Sequence, residues 1–405
     1  MLTVNKGGYN FPKRGDEYWK FTKPDQFVEI SEQACQTQLH DNIKAKSPAK
    51  ATTLYNLDGM EKIEFVLQPN ELLFDQSDRR ISSTLEAGFK NLYQGKSSWI
   101  DDIAGVIESR IQKPIPRPFA KYCIDHSQTG LCLWAKGKIT DPVILSYGEG
   151  FAGSEHLIHN IIRVSSGAKL TLVEIGNPWS GVNMVNEVHV EPEGEFNHIR
   201  IAVGNTEAQS LIHQYARIDE AASLKSFSLF GNSTLTRNEH IIELPEDDAN
   251  AHVSGVFVGS GNVSQDDTVF IRHEGLNGTS RQVFRKVLNN GATGVFQGKI
   301  HVNPGSQKTD GYQKSQALLL DEKSQFLVKP ELEIYADDVS CSHGSTCGSI
   351  DNNSLYYLRS RGISKDEAIS MLSLGFLKEV LDEIESEEIV ETLEELLTDM
   401  VNNAI

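Results

Sequence analysis

The sequence predicts a mainly β core held between two helical regions, and three observations carry that expectation. From about Tyr122 to Ala336 apolar residues recur at every second position. Clusters of Gly, Asn, Asp and Pro separate these short apolar runs in the manner of turns. After Gly348 a helical period takes over, with capping residues in front of it. The resulting division is an N-terminal helical or mixed region over 1–110, a β core over 111–345 and a C-terminal helical domain over 346–405.

Taken in order, Asp78 to Leu92 places Ile81, Leu85, Phe89 and Leu92 at helical spacing. The run Pro114-Ile115-Pro116-Arg117-Pro118 cannot be a helix interior and marks a linker or an extended entry into the core. Within the core, Val188 and Val190 alternate with Glu187, His189 and Glu191. Ile199, Ile201 and Val203 alternate with His198, Arg200 and Ala202. Ile300 and Val302, and then Leu332, Ile334 and Ala336, repeat the pattern. Strands with one apolar face each suit a sandwich, a barrel or a β-solenoid, and periodicity does not choose among them. A solenoid would need irregular coils, since no fixed repeat length is visible. The absence of long helical crossovers disfavours a doubly wound α/β sheet. At the C-terminal end, Asp351 or Asn353 can cap a helix through Leu355, Tyr356 and Leu358 that stops at Gly362. Ser364 and Glu367 form a capping box ahead of Ala368, Met371, Leu372, Phe376 and Val380. Ile389, Leu393, Leu396, Leu397 and Met400 form a last amphipathic stretch whose other face is strongly acidic.

The chain has 405 residues and a formal net charge of −18. Such a field repels nucleic acid and anionic membrane, so neither is an expected partner. No apolar run is long enough for a spanning helix, and the first residues lack the pattern of a signal peptide, so the expected location is cytoplasmic. The cysteines are Cys35, Cys123, Cys132, Cys341 and Cys347, an odd number without a CxxC, which reads as reduced thiols. Gly95-Lys96-Ser97 lacks the glycine five positions earlier that a phosphate loop needs, because Lys90 stands there. No ATPase activity is expected. His156 and His159 are three apart, but strand-like residues follow them, so they read as turn or surface histidines.

The segment Asp337 to Thr346 is the most informative. Cys341 and His343 are two apart, so an extended chain points both to one side. Thiolate and imidazole suit iron or zinc, yet two ligands are too few to hold a metal. Taken alone, the pair reads as a small buried cysteine beside an exposed histidine at a strand end. If Leu332, Ile334 and Ala336 face the core, an unbroken strand turns Cys341 and His343 outward, unless the Asp pair or Gly344 breaks the phase.

Tyr335-Ala-Asp-Asp-Val-Ser-Cys-Ser-His-Gly-Ser-Thr346, followed by Leu355-Tyr-Tyr-Leu-Arg-Ser-Arg-Gly-Ile363, resembles the C-terminal signature of the SufD family. Thr279-Ser-Arg-Gln282, Gly294-Val-Phe-Gln-Gly-Lys299, Gln307-Lys-Thr-Asp-Gly-Tyr-Gln313 and Lys329-Pro-Glu-Leu-Glu-Ile-Tyr-Ala-Asp337 resemble it too. Pro12-Lys-Arg-Gly-Asp-Glu-Tyr-Trp-Lys20 is similar to the family's N-terminal motif. The resemblance is strongest over roughly 250–385.

It implies a right-handed parallel β-helix, or β-solenoid, between helical ends. It implies a non-catalytic scaffold for iron–sulfur cluster assembly that pairs with SufB through the β-helix and with the SufC ATPase through the C-terminal helices, or forms a homodimer when isolated. Leu374, Phe376 and Val380 are the candidate SufC contacts. His343 matches the family's interface histidine, a proposed cluster ligand, with Cys341 two residues before it. No cofactor would be tightly bound; a transient cluster or iron would sit at the SufB–SufD interface, where SufB supplies a reactive cysteine. Cys347 stands where the family more often has an aliphatic residue, and reads as a core position. Two alternatives accompany this reading. A SufB-like cluster carrier would need a core acceptor cysteine, for which Cys123 and Cys132 are the candidates. A β-helix carbohydrate-active enzyme would need a cluster of acidic residues or a calcium site, and no such cluster stands out.

Overall fold

Consecutive β-strands joined by tight corners can pair in parallel only if each is followed by a crossover, and from Leu131 onward each crossover among the described residues is itself a strand of a second sheet. The computed structural model describes residues 5–6, 9–13, 15–25, 27, 63–67, 80–89, 98–111, 115–127, 129–147, 155–176, 181–203, 209–231 and 233–405. Cys35, Leu92 and Gly95 to Ser97 lie outside these residues. Among the described residues one sheet has ten strands, ending at Gln325–Ile334, and the other has nine, ending at Ser340–Gly348. From Leu131–Ala135 onward each strand pairs in parallel with the next strand of its own sheet. This is the parallel β-helix expected from the family resemblance. Its coils are irregular: stacked residues are 26 apart between Ile158 and Met184 and 32 apart between Phe296 and Val328.

One set of corners shares a conformation. Gly167, Glu193, Ala221, Asp248, Asn277 and Lys308 all have φ between 51° and 65°. Each donates its N–H to a carbonyl of the following coil, for example Ala221 to Asp247 at 2.9 Å and Asp248 to Leu276 at 2.8 Å. A non-glycine residue in this left-handed region costs about 1–2 kcal/mol, offset here by a hydrogen bond that a right-handed residue would aim elsewhere.

The lumen is filled by side chains. Val188, Val190, Ile300 and Val302 face it, as their alternation suggests, together with Phe196, Phe230, Phe257, Phe284 and Phe296. In other strands the polar face turns inward. His198 and Arg200 lie inside with Glu174, while Ile199 and Ile201 lie outside beneath the C-terminal helices. Both sheets are covered on their outer faces as well, so simple alternation does not report solvent. Inside, burial works against the Glu174 carboxylate, but the Arg200 guanidinium and a hydrogen bond from His198 outweigh it and hold its pKa at about 2.

Two local expectations are corrected. Asp78 to Leu92 does not form a helix where it is described: Arg80–Ile81 and Leu85–Phe89 form an antiparallel hairpin that joins Leu131–Ala135. Leu85 and Ala87 enter the lumen core on a period of two, and the Ser82 hydroxyl accepts from the Leu85 N–H at 2.9 Å to close the turn. His159 is not a surface residue but wholly buried on the strand Glu155–Val164, with its Nε2 2.7 Å from Glu187. The segment around Gly105 to Glu108 covers that position, and the N–H groups of Gly105 and Glu108 donate to the Glu187 carboxylate at 2.6 and 2.9 Å.

The helix Pro118–His126 begins at Pro118, where a missing N–H costs nothing, and lays Phe119, Tyr122 and Cys123 on the outer face of the larger sheet. At the other end of the chain, Asp351 caps Asn352–Ser360 and Gly362, at φ 89°, follows its close. Ser364 accepts from the Glu367 N–H to start Lys365–Lys378, and Ser386 caps Glu387–Ala404. Leu393, Leu397 and Val401 pack with Phe227, Val256 and Val258 on the outer face of the smaller sheet. Among the described residues no helix is long and apolar enough to cross a membrane.

Candidate functional site at the open end of the solenoid

The strand Ser340–Gly348 stacks on Asp310–Leu319, pairing Gly311 with Cys341, Gln313 with His343, Ser315 with Ser345 and Ala317 with Cys347. The four residues below are buried and face the lumen. Cys341, His343, Ser345 and Cys347 therefore continue the lumen columns into a coil that no described residue covers. The phase breaks at the corner Tyr335–Val339, where the chain passes from one sheet to the other and the Ser340 N–H donates to the Thr309 carbonyl at 2.8 Å. An unbroken strand would have turned these side chains outward; a change of sheet carries no such constraint.

Along this strand burial falls away quickly. Cys341 is half-buried beside Ile300, Val302 and Ala336, above Gly311, where an added Cβ would come within 3.3 Å of the sulfur. Burial pushes its thiol pKa up, Asp310 adds to that, and a backbone hydrogen bond at Gly311 opposes it. His343 is exposed. Cys347 is exposed too, which corrects the expectation of a core residue: with no further coil above it, a lumen-facing position becomes a surface. Cross-coil pairs tie the strand down, with the Ser315 and Ser345 hydroxyls 2.8 Å apart and Gln316 donating to Thr346 at 3.2 Å. Among the described residues no three of His, Cys, Asp and Glu gather as a metal set.

Among the described residues, this end also leaves two strands without a neighbour on one side, Gln325–Ile334 and Ser340–Gly348. Exposed Ile334 and Tyr335 flank them, and Tyr335 lies near the His301 ring. The N-terminal segment reaches the same coil. Tyr18 donates to Glu331 at 2.7 Å and Lys329 pairs with Glu17 at 3.0 Å.

The C-terminal candidates face the solenoid. Val380 is 2% exposed, and Leu374 and Phe376 pack partly buried against the same cluster. Arg285 lies over the Phe376 ring at 4.9 Å and pairs with Glu379. The large apolar residues of these helices that face solvent are Tyr356, 76% exposed, Tyr357, 56%, and Met371, 48%. Met371 stands at helical spacing with Ala368 and Leu372 in the sequence, yet it and the adjacent Tyr356 and Tyr357 all lie on the solvent side. Cys123 and Cys132 are buried, and the Cys123 thiol points at the Ile158 and Asn183 carbonyls at 3.3 and 3.2 Å.

Comparison with known proteins agrees with this architecture. Residues 149–376 match the family model of the SUF system FeS cluster assembly SufBD core domain. The chain is 28% identical over 257 residues to the iron–sulfur cluster assembly protein SufD of Escherichia coli, a match covering 61% of this chain and 60% of that one. It is 33% identical over 149 residues to SufD of Bacillus subtilis, covering 37% and 34% of the two chains. It is 26% identical over 204 residues to a SufBD family protein of Synechocystis, covering 50% and 45%. The matched part thus spans at most about three-fifths of these relatives' lengths. With the core match covering more than half the chain, the protein belongs to the SufBD family of iron–sulfur cluster assembly proteins.

Proposed function

We propose that this chain is a non-catalytic scaffold subunit that pairs end-on with SufB and docks the SufC ATPase on its C-terminal helices, in the cytoplasm. The observation that carries this reading is the open end: two neighbouring edge strands each lack a partner on one side among the described residues, and exposed His343 lies on the lumen side of the last coil. Unpaired strand edges are templates for another strand, so a second solenoid can extend both sheets at once. His343, with Cys341 behind it, then contributes to a transient cluster or iron site completed by the partner. Ligands divided between two subunits can be brought together and separated by a conformational change, which suits a site that must release what it builds.

For the ATPase contact, Leu374, Phe376 and Val380 orient the helices from beneath, and Tyr356, Tyr357 and Met371 offer the exposed apolar surface. Cutting the chain after Gly348 would uncover Phe227, Val256 and Val258 and confuse docking with folding. Surface substitutions avoid that problem. Tyr356→Ala with Tyr357→Ala is expected to weaken SufC binding at least tenfold while leaving the melting curve unchanged; unchanged binding refutes this contact.

The test of the site itself is His343→Ala. It is expected to leave the yield of the SufB–SufC–SufD complex near wild type and to reduce cluster formation in cells sharply, with a smaller effect from Cys341→Ala. A His343→Ala complex that forms normally and matures clusters at the wild-type rate removes the assignment.

A further inference from the structure

A second concave feature lies far from the open end. Between the outer face of the smaller sheet and the link Glu383–Ser386, which leads into the helix Glu387–Ala404, there is a cavity of about 190 Å³. An empty cavity of roughly 150 Å³ in a protein core takes up benzene, so this space suits a molecule of that order. Its walls divide by chemistry. Ile199, Phe227 and Ile389 form an apolar side. Lys169 and Lys225 stand opposite, each 2.8 Å from one oxygen of the Glu385 carboxylate, and Lys169 also meets Glu195 at 3.0 Å.

The remaining wall holds His252. Its residue is 8% exposed, its Nδ1 is 3.7 Å from Glu383, and its Nε2 is buried with no hydrogen-bond partner. A buried ring nitrogen without a hydrogen-bond partner carries a desolvation cost. Burial holds the ring pKa below its usual value, which Glu383 opposes and Lys225 and Arg281 reinforce, so at neutral pH the ring is uncharged and offers one donor or one acceptor.

We propose that this cavity binds a small carboxylic acid with a compact apolar body, its carboxylate on Lys169 and Lys225, its body against Phe227 and Ile389, and His252 closing the remaining wall. The lysine pair already grips a carboxylate, that of Glu385, and these three side chains are a third to a half exposed at the cavity mouth. Glu385 is therefore the resident competitor. An incoming acid takes its place, and the link between the last two helices is freed at one of its fastenings. Other fastenings of this helical region, such as Arg285 to Glu379 and the Ala404 carbonyl to Asn289 and Ser260, lie elsewhere and stay made.

Benzoate is a suitable probe, titrated into the full chain by calorimetry or by NMR shifts of the residues around the cavity, with benzyl alcohol as the uncharged control. Saturable one-site binding of benzoate is expected, with benzyl alcohol at least tenfold weaker. Lys225→Met is expected to weaken benzoate at least tenfold. Glu385→Gln, which removes the competitor's charge and keeps its shape, is expected to tighten it about fivefold, a gain that misfolding cannot imitate. No saturable binding by either the wild type or Glu385→Gln overturns the proposal. So does binding that Lys225→Met leaves unchanged in a protein with a normal melting curve.

Discussion

Replacing Glu187 by alanine tests how the N-terminal region is fastened to the solenoid. Glu187 is wholly buried and accepts from the Gly105 and Glu108 N–H groups and from His159, at 2.6, 2.9 and 2.7 Å. Hydrogen bonds to a charged acceptor are worth about 1.5–3 kcal/mol each, and a buried group left without its partner costs about 1–3 kcal/mol. Three bonds give a simple sum of about 5–9 kcal/mol. Water entering the vacated space and relaxation of the Gly105 turn lower this, so the expected loss is about 3–5 kcal/mol, the range for breaking a buried charged group's contacts. Glu187→Gln keeps one carbonyl oxygen and should lose about half as much. Urea unfolding followed by tryptophan emission is a direct assay, because Trp99 and Trp134 lie 5.6 Å apart in this same layer. A loss under about 1 kcal/mol for Glu187→Ala, or equal losses for alanine and glutamine, would refute the reasoning.

Other outcomes follow from the same structure. Burial lowers the pKa of His240 to about 3, with His198 and Arg200 adding to it, and that of His273 to about 4 against opposition from Asp310. Both are neutral when folded and protonate first when unfolded, so their contribution is complete above pH 6.5 and lost as pH falls from 6.5 through those values. Nearly two protons imply a slope of about 2–3 kcal/mol per pH unit between pH 6 and 4.5, measured by urea unfolding; a flat profile there contradicts it. Glu174 adds about 3 kcal/mol that is present above its unfolded pKa near 4.5 and lost on descent toward pH 2. Ala221→Gly should stabilise by about 0.5–1 kcal/mol, since relief at φ 51° exceeds the added freedom of the unfolded chain, whereas Gly167→Ala should destabilise by about 1 kcal/mol; melting curves decide both. The purified chain should hydrolyse no ATP once SufC is removed, and hydrolysis that copurifies with it would count against the scaffold reading.

Much of this architecture was legible because the repeating strands write their period into the sequence. Caps were legible too: Asp351, Ser364 and Gly362 act through local geometry, which needs only neighbours in the chain. What alternation could not say was which face is inside. Val188 faces the lumen and Ile199 faces away from it, because in the middle coils both faces of a strand are covered and either one can be apolar. The short hairpin at Leu85 was misread since Ile81, Leu85 and Phe89 satisfy a spacing of four, and four is also a multiple of two. The direction of Cys341 and His343 depended on a corner that moves the chain between sheets, a long-range fact absent from five residues of local pattern. Burial of His159 and Glu187 likewise required the distant Gly105 turn.

The last helix has a consequence for how the molecule yields to stress. It does not cap one coil; it lies along several, from the Glu385 fastening to Lys169 and Lys225 at one end to the Asn289 and Ser260 bonds with the Ala404 carbonyl at the other. A bare solenoid frays like a stack of coins, one coil at a time, because each touches only its neighbours. Here the helix acts as a batten nailed across the stack, so one coil cannot lift without straining the rest. Amide exchange in the smaller sheet should consequently be levelled across coils, while the strand beyond the batten, Ser340–Gly348, should exchange fastest until a partner seals it.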